Sequence, residues 1–294
     1  MSAPKMPELP EVETILNGLR SALAGRRIIS TEVRHDLRWP VPDDLSIRAD
    51  GKKIRDSTRL GKYMLIALMR GPTLLIHLGM SGRIRITPGL AKGRAYQPQR
   101  HEHVTLRLDN GTHIGLVDPR RFGCFLLADA GREREHPLLR QLGADPLQPG
   151  FDAAYLYEKL HRKRAPIKTA LLDQHVVAGL GNIYVCEILY RAGIHPERLA
   201  SSLDETQIAR IAEITPAVLR EAIDAGGSTL RDYVDAEGKK GAFQDLHQVY
   251  GREGEPCPEC PGFPACGGIR RLVQAGRSSF YCPRRQLPLS LEDA

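Results

Sequence analysis

The most chemically loaded stretch of this chain is Met6-Pro-Glu-Leu-Pro-Glu-Val-Glu-Thr14, where a proline stands beside a carboxylate and two more acids follow. With Pro7 as the first residue, its ring nitrogen would be a secondary amine. An α-amine has a pKa near ~7.7–8.0 against ~10.4 for lysine, so a useful fraction is neutral and nucleophilic at neutral pH. Attack of such an amine on a sugar carbon gives a cationic iminium, an electron sink that eases loss of phosphate from the neighbouring carbon. Glu8, next in the chain, is placed to act as general acid and base. The cluster Glu8, Glu11 and Glu13 also reads as acids suited to the positive end of a helix dipole. As numbered, five residues precede Met6. While they remain Pro7 is an amide, so the amine chemistry requires a start at Met6 followed by its excision, or removal of the extension.

A second constellation lies near the other end. Cys124 and Cys186 sit among apolar residues and read as core cysteines. Cys257, Cys260, Cys266 and Cys282 crowd together in the C-terminal region. In a chain without an export signal such a cluster is a metal site rather than a disulfide set, and four soft ligands suit one structural zinc ion in a tetrahedron. The spacing is not a standard ligand pattern. The alternative is a metal-free finger held by packing.

Formal net charge is +7, a balance that favours a polyanion because lysine and arginine release condensed counterions when they neutralise phosphates. The charge is grouped: Lys159, Arg162, Lys163, Arg164 and Lys168 form one cluster, and Arg270, Arg271, Arg277, Arg284 and Arg285 another. Gly179-Leu-Gly-Asn182 opens an expected helix. Its backbone N–H groups, with glycine permitting close approach and the Asn182 amide adding a donor, suit a phosphate.

The elements that must carry these groups fall into two kinds. The first half reads as strands: Ile28–Arg34, Tyr63–Met69, Thr73–Leu78, Val104–Asp109, His113–Val117 and Phe122–Leu127. Asn110-Gly111 predicts a tight hairpin turn. One helix over Val12–Ala24 precedes them, and the set suggests a β-sandwich. After Pro149 the period becomes helical, with helices at Ala153–Lys163, Ile167–Asp173, Asn182–Ala192 and Leu203–Ala225. Ser202 with Glu205 reads as the capping box of the last, and Pro216 predicts a kink or break in it. The polar, glycine-rich Ser228–Gln244 reads as a mobile loop. Hydrophobic content is 41% and no run is long enough to span a bilayer. A cytoplasmic, monomeric protein with no membrane association is expected.

Pro7-Glu-Leu-Pro-Glu-Val-Glu13 resembles the opening of the formamidopyrimidine-DNA glycosylases. The likeness continues in family order through Arg59-Leu-Gly-Lys-Tyr63, His77-Leu-Gly-Met-Ser-Gly82, His101-Glu-His103, Asp118-Pro-Arg-Arg-Phe-Gly123, Gly179-Leu-Gly-Asn-Ile-Tyr184, Ala192-Gly-Ile-His-Pro196 and Arg277-Ser-Ser-Phe-Tyr-Cys282. An ordered set spanning nearly the whole chain is far more specific than any one string. The resemblance implies an α+β protein: an N-terminal catalytic β-sandwich domain with a flanking helix over residues 1–149, a helical helix–two-turns–helix DNA-binding domain over 150–245, and a small zinc-finger β-hairpin over 248–287. It implies that the loop 228–244 covers the everted base.

It further implies a bifunctional glycosylase and lyase of base excision repair. Such an enzyme excises oxidised purines, 8-oxoguanine and formamidopyrimidines, from damaged double-stranded DNA and cleaves the abasic site by β,δ-elimination. Pro7 is then the Schiff-base nucleophile and Glu8 the proton donor. Lys62 assists β-elimination, and Arg277 grips phosphate and assists the second elimination. Met80, Arg120 and Phe122 match a trio that fills the void of an extruded base. A thioether and an aromatic ring can occupy the hole, and a guanidinium can hydrogen-bond the orphaned partner. Lys168 and Asn182 fall in the backbone-gripping region, and His101 and Arg164 match positions that touch DNA.

The chain departs from the pattern at its finger. Relatives carry two Cys-x-x-Cys pairs; here Cys257-Pro-Glu-Cys260 is intact, but Cys282-Pro-Arg-Arg285 puts arginine at the usual last ligand. Cys266 supplies the fourth thiol, and residues 261–265 read as an insertion. Two other readings stand beside the main one: an endonuclease VIII-like glycosylase for oxidised pyrimidines, and a non-catalytic zinc-finger DNA-binding protein. The second accounts for charge and cysteines but not for Pro7, Glu8 and Lys62 together.

Overall fold

The structure is a computed structural model that describes residues 6–89, 91, 94–228, 242–260 and 266–288. Most of the expected mobile loop, residues 229–241, lies outside the described residues, as does the stretch 261–265. The chain divides into two compact units, one of residues 1–141 with 225–242 and one of residues 142–224 with 243–294.

The first unit opens with helix α1, Leu9–Leu23. It begins three residues ahead of the expected Val12, because a reciprocal capping box joins Glu8 and Glu11. The Glu11 carboxylate takes the backbone N–H of Glu8 at 2.9 Å, and Pro10 in the first turn needs no hydrogen bond there. Eight strands follow: β1 Ile28–Val33, β2 Ile54–Leu60, β3 Tyr63–Leu68, β4 Thr73–His77, β5 Arg83–Thr87, β6 Glu102–Leu108, β7 His113–Val117 and β8 Cys124–Ala128. A short helix α2, Leu45–Ala49, lies between β1 and β2.

These strands form two antiparallel four-stranded sheets, in the orders β1-β6-β7-β5 and β2-β3-β4-β8. Leu16, Leu19, Leu23, Ile28, Met64, Ile66, Leu74, Ile76, Val104, Leu106 and Leu116 belong to one buried core with α1. The strands β2 and β5 were not expected. β2 reads Ile54-Arg-Asp-Ser-Thr-Arg-Leu60, polar enough to resemble a loop, and β5 is nowhere fully buried. The hairpin at Asn110-Gly111 is present but wider than expected. Leu108 receives the N–H of Gly111 and donates to the carbonyl of Thr112, and of that pair only Gly111 takes a positive φ.

The second unit contains α3 Ala153–Leu160, α4 Ile167–Leu172, α5 Asn182–Ala192 and α6 Glu205–Asp224. The N-terminal box of α6 is Asp204 with Gln207, exchanging bonds of 2.8 and 3.2 Å, and not Ser202 with Glu205. Ser202 closes a separate 3-10 turn, Ala200–Ser202. The helix runs unbroken through Pro216. A hairpin of β9, Arg270–Gln274, and β10, Arg277–Tyr281, turns through Ala275 and Gly276, both at positive φ.

Candidate functional site

In the first unit Pro7 is buried at the head of α1 and Glu8 is 4% exposed. Glu11, fully buried, fixes this end. Besides the Glu8 N–H, its other oxygen accepts from the N–H of Ser228 at 2.8 Å. Gly227, at φ +77°, lies so close that an added Cβ would stand 3.2 Å from that oxygen.

Lys62 sits in the two-residue turn Gly61-Lys62 between β2 and β3, opposite the closing pair Leu60 and Tyr63. It is only 6% exposed. His77, paired in register with Tyr63 and in ring contact with it, shares its environment. Burial first and the charge of Lys62 second hold the His77 imidazole down to about 4. The geometry agrees: Nδ1 accepts the N–H of Gly79 at 2.9 Å, which leaves the ring neutral with its proton on Nε2. His77 is an addition of the structure. The only sign in the sequence is its place at the head of His77-Leu-Gly-Met80.

Met80, Arg120 and Phe122 stand on two loops that one carboxylate organises. Asp118, fully buried, accepts from the Ser81 hydroxyl at 2.5 Å and from the N–H groups of Arg120 and Gly123 at 3.3 and 2.8 Å. Its carbonyl meets His103 Nε2 at 2.8 Å. At Gly79 a Cβ would lie 2.5 Å from the Phe122 backbone, so only glycine allows the approach. Arg120 is exposed, with its guanidinium 4.8 Å from the centre of the Phe122 ring, and Phe122 is 39% exposed. An exposed phenylalanine stacked under an arginine at a loop tip is not core packing. His101 is exposed at φ +66°, and its carbonyl takes the Asp118 N–H. Its approach is held by buried Glu102, which binds the Tyr96 hydroxyl at 2.6 Å and the Gln99 N–H at 3.0 Å.

In the second unit the loop between α4 and α5 is built around Gln174. Its amide donates to the carbonyls of Leu172 and Leu180 and accepts from the Gly179 N–H at 2.9 Å. Asn182 follows, and its Nδ2 donates to the Ser278 carbonyl at 2.9 Å. Lys168 reaches the same carbonyl at 2.7 Å and the Ser279 hydroxyl at 2.7 Å, with 1% exposure. Both therefore hold the β9–β10 hairpin. Arg277, at its turn, is exposed, and with Lys163, Lys168 and Gln274 it lines a cleft of about 450 Å³. Arg164 is exposed and is not among the residues lining that cleft.

The sulfur atoms of Cys257, Cys260, Cys266 and Cys282 all lie within 4.8 Å of one another. Tetrahedral Zn–S bonds of about 2.3 Å place sulfurs about 3.8 Å apart, so this donor set fits one such ion. Arg285, at the place of the usual fourth cysteine, has another task. Its Nε and Nη2 donate to the carbonyls of Tyr190 and Arg191 at 3.0 and 3.2 Å, capping the end of α5. The guanidinium also stacks on Tyr190, whose hydroxyl is 3.1 Å from the Cys257 sulfur. Cys124 is buried in the first unit; Cys186 is buried in the same apolar cluster as Cys266 and Cys282 but is not one of the four grouped sulfurs.

Residues 6–125 match the model of the formamidopyrimidine-DNA glycosylase N-terminal domain, and residues 142–234 that of the formamidopyrimidine-DNA glycosylase H2TH domain. The chain is 52% identical over 282 residues to the formamidopyrimidine-DNA glycosylase of Gluconobacter oxydans, covering 96% of this chain and all of the relative. It is 49% identical over 286 residues to that of Cereibacter sphaeroides, again over 96% of this chain and all of the relative. Among solved structures it is similar to the MutM (Fpg) protein of Thermus thermophilus, with TM-score 0.82, 39% identity and coverage of 95% of this chain and 98% of that one. It is also similar to the Lactococcus lactis Fpg in complex with DNA containing an abasic site, with TM-score 0.83, 34% identity and coverage of 96% and 100%.

Proposed function

Because the chain belongs to the formamidopyrimidine-DNA glycosylase family, we propose that it is a bifunctional DNA glycosylase and abasic-site lyase of base excision repair. It excises oxidised purines, 8-oxoguanine and formamidopyrimidines, from duplex DNA. The observation that carries this reading is the buried Glu8 carboxyl beside Pro7 at the head of α1, in a chain whose relatives include a Lactococcus lactis Fpg variant crystallised with Fapy-dG-containing DNA.

In this reading the Pro7 nitrogen bonds to C1′ of the damaged nucleotide as the glycosidic bond breaks, and Glu8 supplies the proton taken by the departing base. The Pro7 nitrogen gives up its N–H proton, the C1′–O4′ bond breaks with a proton passing to O4′, and the resulting iminium withdraws electrons from C1′, so loss of a proton at C2′ expels the 3′-phosphate. A second elimination expels the 5′-phosphate. Lys62 serves the first elimination and Arg277 the second, with Arg277 gripping phosphate. Met80, Arg120 and Phe122 fill the gap left by the extruded base. His101, Arg164, Lys168 and Asn182 serve the hold on the DNA backbone, Lys168 and Asn182 by fixing the hairpin that presents Arg277. The match to the N-terminal domain model begins at residue 6, which supports a mature chain opening at Pro7. The domains follow as 1–149 catalytic, 150–245 helical and 248–287 finger.

Cys257, Cys260, Cys266 and Cys282 would hold one structural zinc ion, whose chemistry is to cross-link the finger. No helix among the described residues is long and apolar enough to cross a membrane; the enzyme is proposed to act in the cytoplasm, on nucleoid DNA. Borohydride trapping is the test. Mature protein mixed with 8-oxoguanine or abasic duplex should form a covalent adduct at Pro7, and Glu8→Gln should abolish base excision. Active protein whose intact mass still includes residues ahead of Pro7 would defeat the proline mechanism.

A further inference from the structure

Arg59 lies at the end of β2 with its side chain 2% exposed, paired to a Glu13 side chain that is 16% exposed. Its Nε donates to Glu13 Oε2 at 2.7 Å and its Nη1 to the carbonyl of Gly61 at 3.0 Å. Glu13 belongs to α1, the helix whose head carries Pro7 and Glu8. Gly61 is the first residue of the turn that carries Lys62, and its carbonyl belongs to the peptide leading into Lys62. Rotation of that peptide would swing the lysine. One guanidinium therefore spans the two elements that bear the groups assigned to chemistry.

We infer that Arg59 is a positioning residue, fixing the Gly61-Lys62 turn relative to α1 and so aiming Lys62 for the elimination step. The inference rests on the lyase reading above. An ion pair this deep contributes no more to stability than a well-packed apolar pair of similar volume, but a planar fork meets two acceptors at a fixed angle, as an ammonium cannot. A second strap runs beside it: Arg20 pairs with the other oxygen of Glu13 at 3.0 Å and donates to the Ser57 carbonyl of β2 at 3.4 Å. Glu13 is thus braced on both oxygens, and Arg59 alone of the pair reaches the turn.

Arg59→Lys retains the charge opposite Glu13 and loses the bond to Gly61. Three single-turnover measurements on the full-length mature enzyme separate aim from general damage: base excision from an 8-oxoguanine duplex, borohydride trapping at a preformed abasic site, and strand cleavage at that site. Strand cleavage should fall about tenfold, as expected when a reacting group is misplaced by a fraction of an ångström, while excision and trapping stay within about twofold. Glu13→Gln, which keeps the Nε bond without the charge, should show the same pattern more weakly, and it decides the matter if Arg59→Lys does not fold. Parallel loss of all three readouts, or undiminished cleavage in both variants, would overturn the inference. A wild-type enzyme that neither excises nor traps would instead remove the functional reading on which it rests.

Discussion

Glu11 and Ser228 stand 217 residues apart in the chain, yet the Glu11 carboxylate accepts the buried Ser228 N–H at 2.8 Å while its other oxygen holds the Glu8 N–H at 2.9 Å. One side chain thus fixes both the residue assigned as proton donor and the start of the segment assigned to cover the lesion. Glu11→Ala leaves these N–H groups without their acceptor. It should cost about 2–6 kcal/mol, since each of the two unsatisfied buried donors costs roughly 1–3 kcal/mol. Urea unfolding would measure the loss, and a variant of unchanged midpoint would mean that the carboxylate is dispensable.

Arg120 is exposed, and its side chain reaches the Phe122 ring without entering the core. Arg120→Ala should lower excision of 8-oxoguanine about tenfold, the value of a lost base hydrogen bond of about 1–3 kcal/mol. It should leave cleavage of a preformed abasic site nearly intact, because no base has to be drawn out there. Equal loss of both activities would remove Arg120 from the extrusion step.

His77 gives a pH dependence with a definite sign. The unfolded chain binds a proton at this imidazole near pH ~6.5, whereas burial and then Lys62 hold the folded group down to about 4. The unfolded state therefore carries more protons between these values, and stability falls as pH drops through that window. The loss attributable to His77 is on the order of 2 kcal/mol between pH 7 and pH 5. NMR titration of its ring protons should show a midpoint near the lower value; a midpoint at the ordinary histidine value would refute the assignment.

For the cysteine cluster, purified wild-type protein should contain one equivalent of zinc and Cys266→Ser clearly less. Under a tenth of an equivalent in the wild type would leave a finger held by packing. Arg285 should not matter to metal content, because its guanidinium is engaged by the end of α5. Arg285→Ala should therefore retain zinc while lowering the melting temperature.

Sequence and structure met most closely where a local pattern carries the information. Alternating apolar residues announce β6 and β7, short apolar runs announce β3 and β4, and the acids Glu8, Glu11 and Glu13 suit a helix head, although the apolar pattern alone starts that helix only at Val12. β2 escapes a sequence reading because its exposed positions are Arg55, Asp56 and Thr58 and two of its buried ones, Ser57 and Arg59, are also polar, so most of its residues read as loop. Asp204–Gln207 and Ser202–Glu205 fit the same capping-box spacing, and only the 3-10 turn at Ala200–Ser202 decides between them. The pairing of Arg59 with Glu13, 46 residues apart, has no local signature at all. The same holds for the role of Arg285, whose acceptors are carbonyls that any residue could supply. Fixed motifs point to the groups proposed to react; the contacts that hold their elements emerge only when the strands are laid side by side.

Asp118 has one more consequence. Because its carboxylate binds Ser81 on one loop and the N–H groups of Arg120 and Gly123 on the other, the two loops are mechanically a single part. Transplanting one of them from a relative, without its mate, would leave the graft out of register with its anchor. Preference for the base opposite the lesion, which the proposed void-filling role gives to these loops, should therefore be exchanged by moving both as a cassette, and single-residue swaps at Met80 or Phe122 should report on fit without converting it.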